Sequence, residues 1–402
     1  MKVLVVGSGA REHALAWRLA QSPLLTGLHA APGNPGIAAL GRCHPLRADD
    51  GDGLLGLALT IEADLAVIGP EGPLVAGVAD ELRRNGVAVF GPSAEAARIE
   101  GSKAFAKDVL RSAGVPAAAT LSVARPPCVV KADGLASGKG VFVCRTATEL
   151  DDALHAVRSF GGGILIEELL EGEEVSLFAL SDGRRLAPLA AAQDFKRVGD
   201  GDVGPNTGGM GAYSPVPWLE DAAGLIERVH QPVIDELARR GSPFVGCLFA
   251  GLMITAEGPK VLEFNARFGD PETQVLMPRL QGDLLEALAA AAHGDLSGIS
   301  LGASDEAAVT VVLAAPDYPS RSDYRGIEIK GLEAAEAAGA LVFHSGTALR
   351  GGQVVTNGGR ILSVTATGAS LVDARDRAYA AVDLVSFEGA QFRRDIAAVA
   401  DV

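Results

Sequence analysis

The sequence predicts a multidomain protein of α/β and α+β class: an N-terminal parallel α/β domain, a central domain carrying a mobile glycine-rich flap, and a small C-terminal α+β domain. Three observations lead there. The chain has 402 residues, enough for two or more cores at about 100–200 residues each. Its first hundred residues alternate β-branched runs, each stopped by a Gly/Pro loop, with segments of helical period, the pattern of parallel strands joined by crossover helices. Farther on, VVKADGLASGKGV at 129–141 places glycines and two lysines, Lys131 and Lys139, between two strand-like runs.

Composition narrows the class. With 48% hydrophobic residues and 50 glycines the chain is globular and rich in tight loops. A formal charge of -15 argues against a nucleic-acid or anionic-membrane surface, so an anionic substrate needs local cations and helix ends. Cys43, Cys128, Cys144 and Cys247 form no CxxC and no metal spacing, and are expected to be buried thiols in a reducing cytosol. No run approaches the ~18 apolar residues of a membrane span. The chain opens on Met-Lys and a strand with no cleavable apolar segment, so a cytoplasmic protein is expected.

In order, KVLVVG (2–7) reads as a strand and REHALAWRLA as a helix facing the sheet. GLHAAPGNPG, ADLAVIGPEGP, LVAGVADELRRNG and VAVFGPS continue the alternation and complete a domain over about 1–100, with its ligand end at GSGARE, APGNPG and GPEGP. One helix is expected over 93–114, stopping at Gly114 before Pro116. The central domain, 101–304, holds a flap subdomain at about 116–182, with strands at CVVKADG, GVFVCR and GGILIEELL and a helix at TELDDALHAVRSF. RVGDGDVGPNTGGMGAYSP (197–215) reads as a long loop of functional type. A helix, DAAGLIERVHQPVIDELARRG, and two strands, GCLFAGLMIT and PKVLEFNARF, follow it. Residues 305–402 read as a last domain of strands and helices, with turn signals such as NGG at 357–359.

Chemistry concentrates in a few stretches. Alternation along KVLEFNARFGDPETQ puts Leu262, Phe264, Ala266 and Phe268 on a core face, and Glu263, Asn265 and Arg267 in a polar row. A carboxylate and a carboxamide oxygen two residues apart suit magnesium shared with substrate phosphates, and Arg267 suits a carboxylate or phosphate. A solvated strand face is the plainer alternative, and the acids of FGDPE weigh against it. The flap is not a Walker A loop, because three residues separate Gly134 from Gly138 and Lys139 precedes Gly140 instead of a hydroxyl. Its lysines and bare backbone can still reach nucleotide phosphates, or be merely exposed. ILIEELLEGEEVS offers an apolar slot, then Glu167, Glu168, Leu169 and Leu170, then Glu174, which would serve adenine and ribose, although acidic turns are common. Gly7-Ser8-Gly9 opens like a dinucleotide fingerprint, but Glu12 stands at the third glycine. The helix start with Arg11 remains a site for a single phosphate. His13, in the first turn of a helix, is expected to be structural, with a catalytic role as the alternative, and His344 is expected to be a strand residue of the last domain.

Read together, GSGAREHALAW, APGNPG, GPEGPLV, FGPS, EGSKAFAKD, KADGLASGKGV, EELLEGEEVS, KRVGDGDVGPNTGGMGAYSP, GLMI and EFNARFGDPETQ resemble the ATP-grasp superfamily, and more closely its phosphoribosylamine-glycine ligase (glycinamide ribonucleotide synthetase) family. VFHSGT and VVTNGGRILSVTA extend the resemblance to the C-terminal domain. The resemblance implies that ATP phosphorylates the carboxylate of glycine and that 5-phosphoribosylamine attacks the acyl phosphate, giving glycinamide ribonucleotide, ADP and phosphate in purine biosynthesis. It implies Lys103, Lys131, Gly138 and Lys139 at the phosphates, the Glu168 and Leu170 backbones at adenine, and Glu174 at the ribose. Glu263 and Asn265 would carry Mg2+ or Mn2+. Gly9, Arg11, Glu71, Asp194, Lys196 and Arg267 would face phosphoribosylamine and glycine, with Lys139 and Arg267 catalytic. The expected partners are these small molecules, with no nucleic acid or membrane, and the expected state is a monomer. Three departures stand out: GVPAAATLSVARPPCVVKADG lacks a helix that family members commonly carry before the strand bearing Lys131, Phe195 stands where a histidine is common, and CLFAGLMIT offers no further acid. The alternatives are another ATP-grasp carboxylate-amine ligase of purine metabolism, a nicotinamide-dependent dehydrogenase, and a nucleotide-binding protein without catalysis.

Overall fold

The computed structural model describes residues 1–135 and 140–398. Its N-terminal part is a five-stranded parallel sheet in the order Arg42–Cys43, Gly27–Pro32, Lys2–Gly7, Leu65–Ile68, Val89–Phe90. Val3 to Val6 in the central strand are fully buried, because helices cover both faces of a parallel sheet and leave no polar side to alternate. Loops at the carboxyl ends of these strands face the rest of the molecule, as doubly wound sheets require of a ligand edge.

The single helix expected over 93–114 is two, Ala94–Gly101 and Lys103–Ala113. Ser102 between them is extended (φ -143°, ψ 114°), and its hydroxyl accepts from the Phe105 N–H as the cap of the second helix. The Asp133 carboxylate, beneath the flap, also accepts from the Lys103 N–H at 2.6 Å. The break therefore puts Lys103 in a first turn facing the flap.

The central part pairs two antiparallel sheets. One holds Leu186–Pro188, Glu173–Asp182, Val245–Thr255 and Gly258–Asn265. The other, the flap sheet, holds Val141–Cys144, Cys128–Ala132 and Ile164–Glu168, backed by the helix Ala147–Val157. The flap has a small core of its own, built on Cys128, Val130, Cys144, Leu150 and Val157. No helix lies between Ala113 and Cys128, where the chain runs past both sheets with bridges at Ala117–Val261 and Thr120–Glu167.

Residues 197–215 are not one long loop. They form a hairpin, Arg197–Gly199 with Val203–Asn206, and then the strand Gly211–Ser214. That strand joins the C-terminal antiparallel sheet, ordered Gln193–Asp194, Gly211–Ser214, Ala307–Ala314, Arg360–Gly368, Leu341–His344. NGG at 357–359 ends the strand Gln353–Gly358 and crosses between two sheets, so it is not a hairpin tip. Cys128, Cys144 and Cys247 are buried, but Cys43 is only half-buried, and all four are free thiols. Among the described residues no helix is long and apolar enough to cross a membrane.

His13 and His344 lock the first and last parts together. The His344 N–H donates to His13 Nδ1 at 2.9 Å and the rings meet edge-on at 5.6 Å. Burial, and for His13 the neighbouring His344, push the two imidazoles down from 6.5 to about 3 and about 4. The unfolded chain thus takes up protons near pH 6.5 that the folded chain refuses. Stability from this contact is complete above about pH 6.5 and falls with pH toward 4, by up to about 1.4 kcal/mol per unit for each histidine. In urea titrations between pH 4.5 and 6, His13→Gln should lower the pH slope of unfolding free energy by about one proton. An unchanged slope would contradict the buried neutral pair.

Candidate active site

A cavity of about 610 Å³ lies between the flap sheet, the body sheet and the N-terminal loops, a size suited to a nucleotide with a small co-substrate. One wall is the strand Gly258–Asn265. Its alternation is broken by a bulge, since Gly251 pairs with Glu263 but Leu252 with Val261. Val261 therefore enters the core and Leu262 lines the cavity, contrary to the expected core role of Leu262. Beyond the bulge the expected phase holds: Phe264, Ala266 and Phe268 are buried in the core, while Glu263, Asn265 and Arg267 line the cavity.

Glu263 and Asn265 have no side-chain hydrogen-bond partner among the described residues, although Asn265 is 8% exposed. Burial would raise the Glu263 pKa, but Lys196, Lys131, Lys103 and Arg267 outweigh it and hold the carboxylate below its usual range. A charged carboxylate and a carboxamide oxygen, both with spare lone pairs, fit a hard divalent cation. No cluster of three or more His, Cys, Asp or Glu suited to a metal occurs among the described residues, so substrate oxygens would have to complete the shell.

The flap strand Cys128–Ala132 brings Lys131 to the opposite wall, where Nζ donates to the Leu262 carbonyl at 3.0 Å and pairs with Glu167 at 2.7 Å. Glu167 pairs at the same distance with Lys107 of the body helix. This Lys107–Glu167–Lys131 triad was not foreseen, though the side chains of Glu167 and Glu168 must point to opposite faces of their strand. Glu168 points away, accepting from the Ala119 N–H, and its own N–H is taken by the Ala119 carbonyl. Glu168 and Leu170 both line the cavity. Lys103 Nζ reaches the Gly134 carbonyl at 3.1 Å, and burial holds its ammonium below the usual range against the pull of Glu263. Gly138 and Lys139 lie outside the described residues.

The far end is a charge network. Lys196 pairs with Glu174 and lies 3.9 Å from Asp194, so a residue expected at the ribose and two expected at the substrates meet. Burial pushes the Asp194 carboxyl up, and Glu272, Glu174 and Glu263 add to this against Lys196. Arg267 spans Glu71 at 3.3 Å and Glu100 at 3.2 Å. Burial would raise the Glu71 pKa, yet Arg267 and Arg11 bring it to about 2. Glu100, in the last turn of the helix Ala94–Gly101, and Glu272, just before the helix Thr273–Arg279, lie within quoted motifs but outside the alternating polar row of the strand, so no role followed for either from the sequence.

The anion site expected at the first helix start is already filled. Glu12 accepts from the Gly9 N–H at 2.6 Å and pairs with Arg11 at 2.6 Å, closing the cap from within. A Cβ on Gly7 or Gly69 would strike the Glu12 side chain at 2.6 or 2.1 Å. The third-glycine position thus holds a carboxylate where a dinucleotide pyrophosphate would lie, which argues against the dehydrogenase alternative. Arg11 still borders the main cavity, while Gly9 opens on a second one of about 410 Å³ between the first and last parts.

Three family descriptions match the chain in succession: the N domain of phosphoribosylglycinamide synthetase at 1–100, its ATP-grasp (A) domain at 101–273, and its C domain at 308–399. The chain belongs to the phosphoribosylglycinamide synthetase family. Family relatives named phosphoribosylamine–glycine ligase include one from Streptomyces coelicolor, 53% identical across 100% of this chain and 99% of its own, and one from Mesorhizobium japonicum, 51% identical across 98% and 97%. The crystal structure of the phosphoribosylamine–glycine ligase of Thermotoga maritima superposes with a TM-score of 0.85 at 34% identity, covering 98% of this chain and 100% of that one. The N5-carboxyaminoimidazole ribonucleotide synthetase of the same organism shares the fold, at TM-score 0.66 and 16% identity. The mixed α/β architecture with an ATP-grasp domain, expected from the motifs, is that of the family.

Proposed function

We propose that the protein is an ATP-dependent ligase joining glycine to 5-phosphoribosylamine through a glycyl phosphate. The observation that carries this is the facing of the Glu263–Asn265 pair, without side-chain partners among the described residues, by Lys103 and Lys131 across one cavity, in a chain about half identical to named ligases over its whole length. We also keep the three-part division, 1–100, 101–304 and 305–402, with the flap at about 116–182.

Glu263 and Asn265 would hold Mg2+ or Mn2+, which would neutralise charge on the triphosphate oxygens. Lys103 and Lys131 offer ammonium donors to the same phosphates, and the Glu168 carbonyl and Leu170 backbone edge the adenine. Positioning and charge stabilisation suffice for phosphoryl transfer, so no side-chain nucleophile is needed. Arg267, held by Glu71 and Glu100, fixes a guanidinium beside the pair to receive the glycine carboxylate, and Asp194 and Lys196 face the acceptor amine. The second cavity extends the acceptor site. Its lining includes Asn34, Ser345, Thr347, Asn357 and Arg360 and no carboxylate among the described residues, which suits a sugar phosphate. Arg360 borders both cavities and pairs with Asp270 at 2.8 Å.

A coupled ADP assay with single-substrate omissions tests the reading. ADP release should require glycine and phosphoribosylamine together, and turnover indifferent to either would overturn it. Replacing phosphoribosylamine by other amine acceptors in the same assay separates this ligase from another of the same fold.

A further inference from the structure

Arg393, near the C-terminus, is the bulkiest fully buried side chain of the described chain, and the ligase reading does not use it. Its Nε and Nη2 donate to the Asp395 carboxylate at 2.7 Å each. Its Nη1 donates to the Arg197 carbonyl at 3.0 Å and to Asp202 at 2.8 Å. The guanidinium carbon lies 4.9 Å from the centre of the Phe195 ring. Two more bonds run alongside: the Arg394 N–H to Asp200 at 2.7 Å, and the Gly201 N–H to Asp395 at 2.8 Å.

Apart from Asp395, which itself accepts from the Gly201 N–H, these partners belong to the strand end and hairpin at 195–206. Arg197, Asp202 and Asn206 of the hairpin line the main cavity, and Asn206 Nδ2 donates to the Val141 carbonyl of the flap at 3.4 Å. Asp194 and Lys196 line the cavity while Phe195 between them does not, since neighbours in a strand face opposite ways. The hairpin has only two registered pairs, Arg197–Asn206 and Gly199–Val203, with an irregularity between them. A two-stranded hairpin of that size is marginal in water and needs an outside hold. A buried guanidinium is retained only where its donors are satisfied, as all three nitrogens are here.

We propose that Arg393 is a positioning residue for the acceptor half of the site: from behind, through Phe195 and the hairpin 197–206, it fixes Asp194 and Lys196. This rests on the ligase reading and gives Phe195, the departure at the family's histidine position, a task. The arginine touches neither substrate. Its effect is to hold one wall of the cavity while the adenine end is held independently by the strand Ile164–Glu168.

The test compares Arg393→Met, Arg393→Lys and Phe195→Leu with the unaltered protein by steady-state kinetics in each substrate and by amide hydrogen exchange. Arg393→Met should lower kcat/KM for glycine and phosphoribosylamine by about tenfold or more, as misplacement of reacting groups does, with the KM for ATP changed by less than about twofold. Amides at 197–206 should exchange faster while those of the N-terminal sheet do not. Arg393→Lys, which keeps a cation over the ring, should recover part of the loss, and Phe195→Leu should resemble Arg393→Met. Unchanged kinetics and exchange would overturn the proposal. So would a uniform loss in which ATP affinity and melting temperature fall together, the mark of a merely structural arginine. If the unaltered protein shows no glycine-dependent ADP release, the ligase reading fails, and hairpin exchange alone then judges the clamp.

Discussion

Glu263→Gln is expected to lower ADP release by about 10²–10³-fold, the scale for losing one preorganised charge-stabilising group, while leaving metal-free nucleotide binding intact or tighter. Four cations, Lys196, Lys131, Lys103 and Arg267, hold this carboxylate charged in a buried setting, and it has no direct partner among the described residues. A buried charge kept without a neighbour of its own is costly unless something enters to use it. Without a divalent ion the carboxylate repels the triphosphate, so the amide should bind nucleotide at least as well in a chelator. With the ion present, the amide loses a negative ligand. Calorimetric titration with ATP in excess chelator, beside turnover in excess magnesium, separates the two. If the amide variant also loses metal-free binding, Glu263 shapes the cavity instead of serving a cation.

The second large effect is expected at Glu167. Its carboxylate compensates two ammoniums, Lys107 with a side chain 18% exposed and Lys131 at 7%. Removing one partner of a buried ion pair costs about 3–5 kcal/mol because the remaining charge is left unpaired in low dielectric. Glu167→Gln should therefore destabilise the protein by that amount in chemical denaturation. Adding Lys107→Met, which deletes one stranded charge and keeps the apolar stem, should restore part of the loss. If the double variant is no more stable than the single one, the cost comes from packing and not from charge.

Local pattern reached some of this and stopped at identifiable points. The parallel sheet was readable because Val3 to Val6 must be apolar on both faces, and the flap strands because valines stand on either side of the glycines. The break at Ser102 was not, because the carboxylate that helps cap the second helix, Asp133, comes from a distant part of the chain. The bulge at Leu262 escaped strict alternation, since one extra residue reverses phase without changing composition. Glu12 was noticed as a missing glycine, but its closure of the helix start on the Gly9 N–H required coordinates. Contacts such as His13 with His344, or Arg393 with Asp202, join segments hundreds of residues apart and leave no local trace. Lys131, Glu263 and Asn265 were legible as polar positions because each sits on a strand that its own neighbours define, whereas Lys103 came from the resemblance alone.

The separate little core of the flap has an evolutionary corollary. Because Cys128, Val130, Cys144, Leu150 and Val157 pack chiefly on one another, changes among them need be compatible only with that small set. The lid can drift in sequence, shed a helix or lengthen a turn while the base beneath it stays constant. Variation among descendants should therefore gather in the cover and spare the floor that bears Glu263.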